Sequence, residues 1–385
     1  MSNGTRLRGI TWGHTRGLLP MVATAQRYSE LNPGTEISWE LRSLQDFADF
    51  SVPELAGKYD LMVIDHPWMG QVHSDGTLLA LDEILEPSFL EGQQDGSVGR
   101  SYESYTYGGH LYALPIDAAT PVAVSRPDLL SSHGLTRPSS WDELIALADK
   151  GLVAVPGIPL DTLMAFYMLC STEGAGPFDG ELWVVGDEVA VAALEAIRDL
   201  WARCDGRSAR WNPIAVLEAM SSTDDIAYSP FLYGYSNYAR AGYAPNELRF
   251  HDLVTRGEEP LVSTLGGAGL AISAATSDPK AAAAYATFVA DPATQRTIYA
   301  SSGGQPGHRA AWTDDRTNAD TGGFFRDTLP ALDRAFLRPR FPGYIDFQDA
   351  ASGLVHDFVD SGGDPGEVSV QLRTLAHAAR EEGTL

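Results

Sequence analysis

The sequence is poor in cysteine, in basic residues and in long apolar runs, and it lacks the short motifs of the common catalytic classes. Two cysteines, Cys170 and Cys204, occur in 385 residues. Both fall in segments that read as helices, at no metal-ligand spacing, so buried free thiols are expected rather than a disulfide or a metal centre. Lysine and arginine number 27 against 51 aspartates and glutamates, a formal net charge of −24. So acidic a chain argues against nucleic acid and anionic membrane as partners. No stretch approaches the roughly 20 apolar residues of a membrane span. No G-x-S-x-G, phosphate loop or H-E-x-x-H is present, and there are no repeats, charge runs or low-complexity tracts. The N-terminus, from Met1 to Arg6, lacks an apolar leader core and runs straight into a strand. Either a leader has been removed or the protein has none.

What is present describes a globular α/β protein. Hydrophobic content is 44% and aromatic content 10%, and the length suits two or three domains. Leu61-Met62-Val63-Ile64 is a continuous apolar run, the pattern of a strand buried on both faces. Asp65, His66 and Trp68 follow at its carboxyl end, where ligands bind in open α/β sheets. The plainer reading makes Asp65 a cap of the following turn. Upstream, Leu7–Trp12 reads as a strand, Leu18–Leu31 as a helix, Glu36–Leu41 as a half-exposed strand and Leu44–Leu55 as a helix, the β-α-β-α-β start of a parallel sheet.

Later segments read less regularly. Pro115-Ile116-Asp117 is expected to interrupt a strand that resumes at Thr120, and Leu152–Val155 to be a short strand. Helices dominate from Leu160 to Met220. Asp225–Tyr228 reads as a strand, followed by an aromatic loop from Ser229 to Tyr238 too polar and kinked for a core element. Gly266-Gly267-Ala268-Gly269 is expected to precede a strand at Leu270–Ser273. A phosphate cradle would instead follow a strand into a helix. The C-terminal helices are placed at 324–336, 345–361 and 365–381.

Four clusters carry candidate binding chemistry. They are Trp12 with His14 and Arg16; Asp65 with His66 and Trp68; Tyr228, Phe231, Tyr233, Tyr235 and Asn237; and Arg338, Arg340, Phe341 and Tyr344. Flat aromatic faces suit the apolar face of a sugar ring, and Asp, Asn, Arg and His supply acceptors and donors for hydroxyls. For any one residue, covering a helix end is the structural alternative. Asp65 and His66 are adjacent on an extended segment and are expected to point apart, so they make no metal site. No cofactor and no metal are expected.

The order of these pieces resembles the bacterial extracellular solute-binding proteins of family 1, the carbohydrate-binding subunits of ABC importers related to maltose-binding protein. The resemblance rests on Ile10–His14, the Asn32-Pro33-Gly34 turn, Tyr59-Asp60-Leu61, Gly76-Thr77-Leu78-Leu79-Ala80-Leu81-Asp82, Tyr112-Ala113-Leu114-Pro115, and Pro138-Ser139-Ser140-Trp141-Asp142-Glu143-Leu144. It implies a type II periplasmic-binding-protein fold, two α/β lobes around a ligand cleft with several hinge crossings. The lobes would comprise residues 1–115 with 263–312, and 116–262 with 313–385. The four clusters would face that cleft, joined by Asp117 on the first crossing and by Gly266 and Gly267. Asp65 and Asp117 would accept hydrogen bonds from ligand hydroxyls, and Arg340 would donate from the opposite lobe.

The resulting expectation is a monomeric, non-enzymatic binding protein that captures a small polyhydroxylated ligand, a sugar or sugar derivative, and delivers it to an ABC permease. The resemblance implies an extracytoplasmic location, and the leaderless N-terminus keeps a cytoplasmic one open. Two alternatives are an enzyme of lyase or isomerase type on this fold, using Asp65 with His66 or His14 in acid–base roles, and a cytoplasmic ligand sensor.

Overall fold

The computed structural model describes residues 4–43, 52–174 and 176–382. The chain divides into two compact units. Unit 1 comprises Met1–Ala119 and Gly266–Asp320, and unit 2 comprises Thr120–Leu265 and Thr321–Leu385. Eight strands of the two main sheets are numbered here in chain order: β1 (Thr5–Trp12), β2 (Thr35–Arg42), β3 (Leu61–Ile64), β4 (Ala113–Ala119), β5 (Pro121–Ser125), β6 (Tyr228–Tyr233), β7 (Arg249–His251) and β8 (Gly266–Ile272).

Unit 1 is built on a five-stranded sheet in the order β2-β1-β3-β8-β4. β1 runs parallel to β2 and β3, and β8 is antiparallel to both of its neighbours. All four residues of the apolar run are buried in β3, the sheet's central strand. β2 alternates because it is an edge strand with one solvated face. The helices Thr15–Leu31 and Pro279–Ala290 pack together through Tyr28 and Tyr285, whose rings meet edge-on at 5.4 Å. The helix expected over Leu44–Leu55 falls mostly outside the described residues; its end lies in a short helix, Val52–Ala56.

Three sequence readings are corrected in unit 1. β4 runs through Pro115–Asp117 without interruption. The ladder accommodates the proline with a bulge, since Gly269 pairs with Pro115 and Ala268 with Asp117, leaving Ile116 as the extra residue. The glycines expected before a strand lie within it, in β8. Side chains there are sterically excluded. A Cβ on Gly267 would sit 2.3 Å from the Asp117 carbonyl oxygen, and one on Gly269 2.7 Å from the Tyr105 ring. Finally, His66-Pro67-Trp68 is a 3₁₀ turn leading into the helix Met69–Asp75, not an extended segment.

Unit 2 holds a three-stranded antiparallel sheet, β6-β5-β7. The helix Tyr344–Ser361 packs along Pro159–Thr172, with Asp187–Arg203 and Pro365–Glu382 beside them. The aromatic stretch expected as a loop is the strand β6 followed by a 3₁₀ turn at Ser236–Ala239. A register shift between Ser229 and Leu232 absorbs Pro230. Leu152–Val155 supplies only a bridge, Val153 to Tyr228. Both cysteines are free thiols; Cys170 is buried and Cys204 half-buried.

Asp161 lies in the first turn of the helix Pro159–Thr172, among Pro121, Pro156, Met164, Met168, Phe231 and Leu232. Its Oδ2 is buried without a hydrogen-bond partner, and burial pushes the carboxyl up to about 8. Because the folded state holds this proton more tightly than the unfolded chain, the stability contribution is fully present below the unfolded pKa of about 3.9 and is lost as pH rises through 8. Melting curves from pH 4 to 9 should therefore show wild type losing stability relative to Asp161→Asn as pH rises. Parallel curves would show that Asp161 ionises normally.

Candidate functional site

The topology of unit 1 gathers nine expected site residues at one edge of its sheet. β1 and β3 end at this edge, so Trp12, His14 and Arg16 follow one strand, and Asp65, His66 and Trp68 follow the other. β8 is antiparallel, so it begins here with Gly266 and Gly267. β4, antiparallel to β8, brings Asp117 to the same end.

The centre of this edge is a buried ion pair. Arg16 Nε donates to Asp117 Oδ2 at 2.9 Å, and its Nη2 donates to Oδ1, a two-pronged contact with both side chains almost wholly buried. Burial pushes the Asp117 carboxyl up, while the Arg16 guanidinium and a backbone contact from Gln305 oppose that rise. Gln305 also fixes the strand: its backbone oxygen accepts from Ala118 N at 2.9 Å, and its side-chain nitrogen donates to Ala118 O at 3.1 Å. Trp12 is buried against Gly17, where a Cβ would lie 2.4 Å from the indole.

His14 is half-buried and caps the helix Thr15–Leu31, its Nδ1 accepting from the backbone N–H of Arg16 at 3.0 Å. Burial, then the Arg16 charge, push it down to about 4. Asp65 is likewise a cap, as the plainer reading held. Its Oδ1 accepts from His66 N at 2.8 Å and lies 3.1 Å from His66 Nδ1. Asp65 and His66 therefore converge, contrary to the expectation for an extended segment, because the chain turns at once into the 3₁₀ turn. His66 is fully buried, edge-on to Tyr105. Trp68 is half-buried and packs on the unit 1 core.

Sequence reasoning missed Arg42, Tyr105, Gln305 and Tyr299, a buried tyrosine on which both charges of the Arg16–Asp117 pair act. Arg42, the last residue of β2, pairs in register with Trp12, and its Nη2 donates to Val63 O at 2.9 Å. An arginine ending an alternating strand is the one local signal among the four. The rest arrive from distant segments.

In unit 2 the expected residues do not form one group. Tyr228 is fully buried at the start of β6, opposite Ser125, whereas Tyr233 ends the strand opposite Pro121. Five residues of strand place them roughly 17 Å apart. Phe231 is buried against Trp201, their rings 5.8 Å apart. Tyr235 and Asn237 are buried at the 3₁₀ turn. Tyr233 is half-buried, its hydroxyl 3.3 Å from Thr264 Oγ1. Tyr344 is fully buried, its hydroxyl 3.3 Å from that of Tyr167, within a cluster containing Phe178, Phe341 and Phe347. Arg338 is buried and donates to Gln348 Oε1 at 3.1 Å, and Arg340 is half-buried. No group of three or more His, Cys, Asp or Glu side chains suited to a metal ion occurs among the described residues.

This architecture is that of the type II periplasmic binding proteins. It is similar to maltose-bound MalE3 of T. maritima, with a TM-score of 0.83 at 18% identity, covering 98% of this chain and 100% of that one. It is also similar to an ABC transporter solute-binding protein of Agrobacterium radiobacter K84 in complex with ribitol (TM-score 0.82, 18% identity, 99% of each chain). A third similar structure is UgpB of Mycobacterium tuberculosis in complex with glycerophosphocholine (TM-score 0.78, 18% identity, 98% of this chain and 99% of that one). At the level of sequence, the family model for bacterial extracellular solute-binding protein matches residues 12–296. The chain belongs to that family.

Removing one partner of a buried ion pair leaves the other charge uncompensated. Asp117→Asn should lower the unfolding free energy by about 3–5 kcal/mol in urea titrations. A loss below about 1 kcal/mol, the scale of an exposed pair, would show that Arg16 and Asp117 do not hold the edge together.

Proposed function

We propose that this chain is the extracytoplasmic, monomeric solute-capturing component of an ABC importer, and that its solute is a small polyhydroxylated molecule, a sugar or sugar derivative. The observation that carries the reading is the convergence at the unit 1 sheet edge. There a half-buried indole, Trp68, a carboxylate, Asp65, and a neutral imidazole, His14, stand on a rigid base set by the Arg16–Asp117 pair. A sugar alternates C–H faces with hydroxyls. The indole matches the first, and the carboxylate and imidazole supply an acceptor and a donor for the second. The ligands named for the similar structures, maltose, ribitol and glycerophosphocholine, share a polyhydroxylated part, which supports the same class here. Membership of the extracellular family supports the location and the transport role. No comparison favours the enzymatic or sensor alternatives.

A thermal-shift screen with mono- and disaccharides, polyols and glycerophosphodiesters tests the reading. A true ligand at a hundred times its Kd stabilises by about 2.7 kcal/mol. Against the ligand so found, Trp68→Ala should weaken binding by about 1–3 kcal/mol in calorimetry, the scale of a lost buried aromatic contact. A panel without a single stabilising compound, or a folded Trp68→Ala protein of unchanged affinity, would sink the proposal.

A further inference from the structure

Beside the first turn of the helix Pro159–Thr172, unit 2 holds a cavity of about 10 Å³, the room of a single water-sized group. Its wall is apolar but for one side chain. Pro121 comes from β5, Phe231 and Leu232 from β6, Pro156 from the segment before the helix, and Met164 and Met168 from the helix itself. The exception is Asp161, whose Oδ2 is buried without a hydrogen-bond partner. Ile158 to Asp161 are half-buried or exposed, so this side of the cavity lies next to the surface.

The carboxyl of Asp161 has no counter-ion here. No arginine, lysine, histidine or second acid lines the cavity among the described residues, and two of its wall residues are prolines, which have no backbone N–H to donate. The neighbouring helices Asp187–Arg203 and Tyr344–Ser361 bring no charge to bear on it; burial is the only influence on its acidity. The first turn of a helix favours a negative charge, and the apolar wall opposes one. The wall prevails, and the carboxyl is pushed up to about 8.

We propose that this cavity is a binding site for a primary ammonium group, that of an amino sugar or amino alcohol, with Asp161 as its counter-ion. An ammonium head has the size of a water molecule. It brings the charge that the cavity lacks and donors for the buried oxygen, and an aromatic ring such as Phe231 suits a cation. A hydroxyl brings one donor and no charge, and a trimethylammonium group is too large. The net charge of −24 draws cations towards the molecule. The site lies wholly within unit 2, so the inference goes beyond the reading of solute capture at the unit 1 edge and stands without it.

Binding is coupled to a proton. The free cavity holds a carboxylic acid; the complex holds a carboxylate against the ammonium, and the displaced proton leaves to solvent. Affinity for an ammonium therefore rises with pH below about 8 and levels off above it. Calorimetry on the full chain, at constant ionic strength, uses ethanolamine hydrochloride, ethylene glycol and choline chloride as probes. Ethanolammonium should bind about tenfold more tightly at pH 7 than at pH 6. Titrations in buffers of different ionisation heat should show about one proton released per ammonium bound at pH 6. At pH 8, ethylene glycol and choline should bind about tenfold more weakly than ethanolammonium, or less well still, the scale of a lost hydrogen bond to a charged group. Asp161→Asn keeps the shape and removes the charge. It should bind ethanolammonium about tenfold more weakly with no dependence on pH, and its melting curve shows that it folds. The proton release, read on the wild type, needs no variant. Ethanolammonium binding that ignores pH, or that survives in a folded Asp161→Asn protein, would belong to the general field of an acidic surface and overturn the inference. Equal binding of ethylene glycol, or no ethanolammonium binding at millimolar concentration, would overturn it as well. None of these outcomes bears on sugar capture by unit 1.

Discussion

Arg16 and Asp117 are the constraint around which unit 1 is arranged. The two residues lie 101 positions apart, one just past the end of β1 and the other on β4. β3 and β8 stand between those strands in the sheet, so the contact reaches across two neighbours. Neither charge has water to fall back on, and a buried charge without its partner costs several kcal/mol. The pair therefore specifies a position as much as it stabilises one: the helix start, the cap residue and the end of β4 are held in a single arrangement. Gly267 belongs to the same device, since the Asp117 backbone occupies the space that any side chain there would need.

The sheet order adds a second constraint. β8 inserts between β3 and β4, yet it comes from the far side of the 146 residues that build the first part of unit 2. Until β8 arrives, β4 has no strand to pair with and β3 has one bare edge. Unit 1 is thus completed late and by long-range contacts, the slow kind of assembly for a folding chain. A fragment ending at Ala119 would expose the apolar central strand that the sequence makes so conspicuous.

The parts of this arrangement that could be read in advance are those with a local cause. Leu61–Ile64 is buried on both faces and has no polar residue to mislead. The helix that starts at Trp141 carries a serine three or four residues before Glu143, Ser139 or Ser140 by sequence, and Ser140 is the one that caps it, accepting from Glu143 N. The misreadings, the turn after Ile64 excepted, have a distant cause. Pro115 breaks strands in general, but here a bulge against β8 absorbs it, and β8 lies some 150 residues away. Pro230 in β6 misled in the same way. Gly266 to Gly269 resemble a loop until the Asp117 backbone and the Tyr105 ring are seen to forbid side chains there. Asp65 and His66 were judged by strand geometry, and a 3₁₀ turn brings them together instead. Gln305 and Tyr299 could not be found at all, because nothing near them in the chain marks their approach to the Arg16–Asp117 pair.

The choice of cap on the helix Thr15–Leu31 has an electrostatic consequence. The N-terminus of a helix carries the equivalent of about half a positive charge. Carboxylates commonly sit there and cancel it, but the first turn of this helix contains none, and its cap is a neutral ring. No acidic residue of the helix itself therefore offsets the macrodipole at this end of the sheet, where Arg42 also ends β2. In a molecule whose formal charge is −24, this edge sets two cations, Arg16 and Arg42, against two carboxylates, Asp117 and Asp65, and adds the helix dipole to them. The long-range field of the protein repels anions, while the exposed end of the helix dipole attracts the lone pairs of neutral oxygens. Solutes rich in hydroxyl and ether oxygen gain from the second without suffering from the first.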